Sequence, residues 1–118
     1  VLGTNIKLFE NDDEILPGIK ALITPGHTPG HMSFEVGDRS KKFLIVGDAF
    51  NNHHAAFLHP HWLGGLDQDP HLAAETRKFL LQKLILEDMG VVGFHLPKGG
   101  IGKVKKIGDG YKFMSLAI

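Results

Sequence analysis

Eight consecutive residues, Thr24-Pro25-Gly26-His27-Thr28-Pro29-Gly30-His31, constrain this chain more than any other stretch. Each proline locks φ and removes a backbone N–H, so neither a helix nor a central strand can run through the segment. The two glycines beside them permit tight, irregular backbone. On one side lies the apolar run Ile19–Ile23. On the other, Met32, Phe34 and Val36 alternate with Ser33 and Glu35. The segment therefore reads as a rigid loop joining two strands and carrying two histidines at a strand end.

The rest of the chain is punctuated in the same way. Ile6–Phe9 reads as a short edge strand, and Asn11–Glu14 and Pro17-Gly18 as turns. Gly37-Asp38 leads into the continuous apolar run Phe43–Val46, which stops at Gly47-Asp48. Asn51–Gln68 reads as one long loop holding His53, His54, His59 and His61. Asp69 is a good N-cap with Pro70 at the first helical position, and Gly90 follows the helix end. Leu72, Phe79 and Leu86 fall one heptad apart, widened by Ala73, Leu80 and Leu84, with Leu81, Ile85 and Met89 on the other side. Such a helix is either deeply buried within the chain or covered on its second face by something outside it. Val91–Phe94 reads as a buried strand, and Gly108-Asp109-Gly110 as the turn of a C-terminal hairpin. The fold class is α/β (α+β): a mostly antiparallel or mixed sheet with one long helix packed on it.

Composition narrows the chemistry. A length of 118 residues suits one unit. With 13 Lys+Arg against 13 Asp+Glu, nothing electrostatic calls for nucleic acid or an anionic membrane. No apolar run approaches the ~18 residues of a membrane span. The absence of cysteine excludes disulfides, thiolate metal sites and a cysteine nucleophile. Eight histidines remain. His27, Asp48 and His95 each follow an apolar run, at strand ends where side chains from separate elements can meet. Imidazole and carboxylate suit a hydrolytic divalent ion, and the two oxygens of Asp48 could bridge a pair of ions. Taken singly, each residue also reads as an ordinary hydrogen-bonded histidine or a Gly-Asp turn. In the long loop, His54, Phe57 and Trp62 are candidates to line a substrate pocket. The same histidines also read as a solvated loop or an adventitious metal site. Asp67 and Arg77 read as an ion pair clamping loop to helix.

The octapeptide with Gly47-Asp48, spaced 21 residues from His27 to Asp48 and 47 from Asp48 to His95, resembles the metallo-β-lactamase fold superfamily of metallo-hydrolases. Phe94-His95-Leu96-Pro97, Gly100-Ile101-Gly102 and Gly110-Tyr111-Lys112-Phe113 are similar to the branch containing methyl parathion hydrolase and lactonase-like enzymes. So are Pro60, Trp62, Asp67, Asp69-Pro70 and Thr76-Arg77. The resemblance implies that His27 and His95 are metal ligands of different ions and that Asp48 is the catalytic bridging carboxylate. It implies a hydrogen-bonding or packing role for His31, which is also a candidate at the pocket. It implies an αββα sandwich and a metal-activated water attacking an ester, lactone or phosphotriester. The cofactor would be zinc or another divalent metal, two ions in the completed site.

The superfamily's His-x-His-x-Asp-His motif is absent from this sequence. Residues 1–118 are therefore expected to be the C-terminal half of that domain. Such a half would bind metal weakly or not at all and be inactive alone. Its expected partners are a small-molecule substrate and either a second copy or a complementary N-terminal half. The alternative is a non-catalytic half-domain that self-associates. A start at Val1, with no initiator Met, fits a processed or trimmed chain and leaves localisation open.

Overall fold

The computed structural model describes residue 3 and residues 5–116. Seven strands form one sheet in sequential order: β1 (Glu14–Leu16), β2 (Ile19–Ile23), β3 (Met32–Gly37), β4 (Lys42–Ile45), β5 (Gly90–Val92), β6 (Ile101–Ile107) and β7 (Gly110–Ser115). All neighbouring pairs are antiparallel except β4–β5, which is parallel. A parallel pair needs a crossover, and the chain between β4 and β5 supplies it. That crossover holds a short helix α1 (Ala55–Leu58) and the long helix α2 (Pro70–Leu86).

Helix α2 begins where its sequence says it should. The Asp69 side chain accepts from the Leu72 N–H at 3.0 Å, and Pro70 takes the first position. At the other end Asp88 sits at φ +50° and the chain closes a Schellman pair: Asp88 N–H to Ile85 O and Met89 N–H to Leu84 O. The left-handed residue is thus Asp88 rather than the expected glycine, because Gly90 has already joined β5. The C-terminal hairpin turns at Gly108, with φ +54° at the first central position as a type II′ turn requires.

One face of the sheet carries the core. Leu22, Leu44, Val46 and Val91 meet Leu80, Leu81, Leu84 and Met89 from the helical layer, with Phe50 and Phe57 filling the space under α1. The expected Leu72–Phe79–Leu86 stripe is not the buried one. These three side chains are 40%, 51% and 84% exposed, whereas Ala73, Arg77, Leu80 and Leu84 are buried. The 4-3-4 spacing of the buried set follows the true helical period, while a strict seven-residue row drifts around the helix.

Two further expectations change. Ile6–Phe9 is not a strand. The free edge of β2 is taken instead by the next segment, through Asp12 N–H to Ala21 O and Ala21 N–H to Asp13 O, each 2.9 Å. Phe9 packs edge-on against Phe34, its ring centroid 5.9 Å away. The long 51–68 connection is broken by α1, which packs on β7.

Candidate functional site

Sheet order brings the three strand-end residues together. Parallel strands β4 and β5 end side by side, with Ile45 paired to Val92, so Asp48 and His95 lie three residues beyond adjacent strand ends. The β3–β4 and β2–β3 registers, Phe34 with Ile45 and Met32 with Ile23, place the 24–31 loop at the same end. Ligands favour this carboxyl end of parallel strands.

Backbone contacts fix the 24–31 loop on helix α2. Asp69 N–H donates to Gly26 O at 2.9 Å, Gln68 N–H to His27 O at 3.1 Å, and the Thr76 hydroxyl to Pro25 O at 2.6 Å. Gly26 sits at φ +135°, and a Cβ there would lie 2.3 Å from the Ala73 backbone. No side chain is tolerated where the loop meets the helix.

Asp48 lies in a single 3₁₀ turn, Gly47–Ala49. His31 holds that turn from below: its Nε2 accepts the Asp48 N–H at 3.0 Å, and its Nδ1 faces Thr24 O at 3.1 Å and Thr24 Oγ1 at 2.8 Å. An acceptor at Nε2 requires the neutral ring, and burial pushes the His31 pKa down in the same direction. Gly47 (φ +52°) makes the contact possible, since a Cβ would lie 2.8 Å from His31 Nε2.

The two oxygens of Asp48 face different imidazoles. Oδ1 is 2.9 Å from His95 Nε2, and Oδ2 is 3.6 Å from His27 Nε2. The row His27–Asp48–His95 is thus strung along one carboxylate. Among the described residues, no three His, Asp or Glu side chains converge on a single point as ligands of one ion. Each oxygen of Asp48 instead has one imidazole nitrogen beside it, so an ion on either side would find one nitrogen and one oxygen here. That is short of the three or four protein ligands zinc takes at each position. The site is open: the Asp48 and His95 side chains are 47% and 38% exposed.

Behind His27 stands a residue whose role the sequence did not disclose. Asp67 Oδ1 lies 3.1 Å from His27 Nδ1, and its side chain is 2% exposed. The expected Asp67–Arg77 ion pair is replaced by a different clamp. Buried Arg77 donates from Nε to Pro60 O at 3.0 Å and from Nη2 to Trp62 O at 2.6 Å. Burial pushes the Arg77 pKa down, and the nearby Asp67 charge opposes that. Arg77 therefore secures the loop through carbonyls, which leaves Asp67 free to engage His27.

The pocket candidates separate. Phe57 is fully buried, its ring edge-on to Phe50 at 5.1 Å, so it fills the core. His54 borders a cleft of about 330 Å³ with His53, Leu58, Pro97 and Tyr111. Trp62 is half-exposed and stacks on His59 with centroids 4.0 Å apart. A cleft of about 620 Å³ lies among Arg39, Lys42, Glu87 and Asp88 at the opposite end of the sheet. Phe94, read from sequence as strand, is 91% exposed and edge-on to His95 at 5.1 Å.

Comparison with known proteins identifies the family and the fold. The sequence model of the Metallo-beta-lactamase superfamily matches residues 2–94. An N-acyl homoserine lactonase from Bacillus sp. is 46% identical over 46 residues, 38% of this chain and 18% of that protein. The structure of AidC, a dizinc quorum-quenching lactonase in complex with a product N-hexnoyl-L-homoserine, superposes with a TM-score of 0.87 at 25% identity. It covers 95% of this chain and 38% of its own. The hydrolase AbOPH of the beta lactamase superfamily superposes at 0.80 with 30% identity, covering 87% of this chain and 36% of its own. The chain thus spans well under half the length of the relatives it matches. Among the described residues, no helix is long and apolar enough to cross a membrane.

Proposed function

This chain belongs to the Metallo-beta-lactamase superfamily, and from that premise we propose that it supplies the His27–Asp48–His95 side of a divalent-metal hydrolase site acting on an ester, lactone or phosphotriester. The observation that carries the reading is Asp48, whose two oxygens face two different imidazole nitrogens. A carboxylate so flanked is suited to sharing itself between two cations. When bound, the metals would supply a lowered pKa for a coordinated water and positive charge for the developing oxyanion.

The chain's own residues do the rest. His27 and His95 present one nitrogen to each position. His31 and the Thr24 oxygens hold the Asp48 turn at the rim. Phe94 offers an exposed apolar surface beside His95 on which the acyl part of a substrate could lie. Lactones with an N-acyl chain are the first substrates to try, since several relatives are lactonases of that class.

The test measures bound metal and hydrolysis of N-hexanoyl homoserine lactone, an aryl ester and an aryl phosphotriester. It compares the chain alone with the chain mixed with a His-x-His-x-Asp-His half of a relative. The chain alone should show little turnover, and the completed protein should favour the lactone. Asp48→Asn should lower metal content and reduce turnover at least about 100-fold. Absence of stoichiometric metal from the completed protein, with no loss in Asp48→Asn, would sink the reading.

A second reading is a non-catalytic half-domain that self-associates. It is favoured by apolar side chains left open on the helix-free face of the sheet, Ile23 at 49% and Ile45 at 41% exposed among them.

A further inference from the structure

We propose that Asp67 is the positioning residue for His27: its buried carboxylate holds the imidazole with the proton on Nδ1 and turns the Nε2 lone pair toward Asp48. The proposal rests on His27 being a metal ligand, and it deepens that reading.

Three observations carry it. First, the Asp67 side chain is 2% exposed, yet one oxygen, Oδ2, has no hydrogen-bond partner among the described residues. Interior packing alone would not select an acid that leaves an oxygen unpaired. Its side-chain hydrogen-bonding contact among the described residues is Oδ1 to His27 Nδ1 at 3.1 Å; the Arg77 charge nearby forms no ion pair with it.

Second, the surrounding loop is shaped to bury it. A Cβ on Gly64 would lie 2.7 Å from Asp67 Oδ2, so the chain closes tightly over the carboxylate at residue 64. Arg77 then pins the loop upstream by gripping the carbonyls of Pro60 and Trp62. Neither of these partners consumes the Asp67 oxygens.

Third, the direction of the bond is chemically determined. An ionised carboxylate only accepts, so the proton of a neutral His27 sits on Nδ1 and Nε2 keeps its lone pair. Nε2 is the atom facing Asp48 Oδ2. A carboxylate behind a ligating imidazole fixes ring orientation and raises its basicity.

The experiment uses the full chain, metal-free and ¹⁵N-labelled, at a fixed pH of about 8. Long-range imidazole ¹⁵N–¹H spectra report which His27 nitrogen carries the proton. Competition against a chromophoric chelator gives the affinity for zinc. In the wild type the proton should be on Nδ1. Asp67→Asn has the same volume, but its amide can donate to Nδ1. It should move the proton to Nε2 and weaken zinc binding about 10- to 100-fold. Asp67→Ala should weaken zinc similarly, and should it not fold, Asp67→Asn decides alone. A purely structural Asp67 would lower the unfolding midpoint while leaving tautomer and zinc affinity unchanged, and that result overturns the proposal. If the wild type takes up no zinc yet Asp67→Asn still switches the tautomer, the positioning of His27 stands, and zinc content of the chain completed by a His-x-His-x-Asp-His half then decides the metal reading, which falls if that protein holds none.

Discussion

His31 lies between fold and chemistry. Its ring ties the Asp48 turn to Thr24 through an acceptor at Nε2 and contacts at Nδ1. Replacing it with leucine fills much of the space but strands the Asp48 N–H. His31→Leu should cost about 1–3 kcal/mol of stability, the penalty of an unsatisfied, partly buried donor. Urea unfolding would read the loss, and a change within a few tenths of a kcal/mol would show that water replaces the ring. The loss should exceed that of a substitution at exposed His71, which makes no such contact. That His27, Asp48 and His95 meet at one end of the sheet could be read from the apolar run each follows, a local signal. Asp67 was not, because its partner lies 40 residues back and becomes a neighbour only when the 24–31 loop docks on helix α2. Read locally, Asp67 pairs with Arg77 by opposite charge. The structure overrides that because Arg77 finds two loop carbonyls. Phe57 misled in a similar way: beside histidines it reads as pocket lining, but Phe50 and Phe113 enclose it.

At the scale of elements, helix α2 is joined to the sheet by charge as well as by apolar packing. Glu35, 6% exposed on β3, meets Lys83 of the helix at 2.7 Å and Lys42 of β4 at 3.8 Å, and Lys83 also pairs with Glu87. Alternation in β3 explains why a glutamate points inward: Met32, Phe34 and Val36 occupy the face away from the helix, which leaves Ser33 and Glu35 toward it. Burial by itself pulls the Lys83 pKa down. The hydrogen bonds and charges of Glu35 and Glu87 outweigh it and hold the pKa above its ordinary value of 10.5. A raised ammonium pKa contributes stability that is fully present below that ordinary value and is lost as pH rises through the folded one. Denaturant midpoints taken from pH 8 to 11.5 should therefore fall at the alkaline end in the wild type. In Lys83→Met this component of the fall should be missing, on a baseline about 2 kcal/mol lower at pH 8. Parallel curves for the two proteins would show that the ion pair adds nothing to the join. Helix α2 was readable in advance from Asp69 and Pro70 at its start, although its buried row was not, and β2 and β3 from their apolar patterning. The β1 edge was not, because Ile6–Phe9 and Glu14–Leu16 compete for one free strand edge. The outcome turned on backbone hydrogen bonds from Asp12 and Asp13.

At the scale of the whole molecule, the sheet has one helix-covered face and one that no helix covers among the described residues. Register places Ile19, Ala21 and Ile23 beside Met32, Phe34 and Val36, and these beside Phe43 and Ile45, all on the side away from helix α2; Ile23 and Ile45 are open there, while Ala21 is buried and Phe34 lies against Phe9. Met114 of β7 continues that side and is 45% exposed. Exposed apolar side chains grouped on one side of a sheet favour a packing face. The superposed lactonase keeps the fold of this chain within a protein of which the chain covers 38%, so there the same sheet sits inside a larger body. The chain in isolation is therefore expected to bury this face against itself. In sedimentation velocity at about 50 µM, an associated species heavier than the 12.9 kDa monomer should dominate. Ile23→Lys with Ile45→Lys should return the monomer, because both side chains lie on the bare face and neither is in the core cluster. The same pair should leave far-UV circular dichroism unchanged. The exposed helix row offers the rival interface, and Phe79→Lys separates the two. If Phe79→Lys dissolves the assembly and the sheet variant does not, association runs through helix α2 and the bare sheet face is left for another chain. If the unaltered chain is monomeric at that concentration, the self-associating reading fails, and the apolar sheet face must then be tested against a complementary half bearing the missing histidine motif.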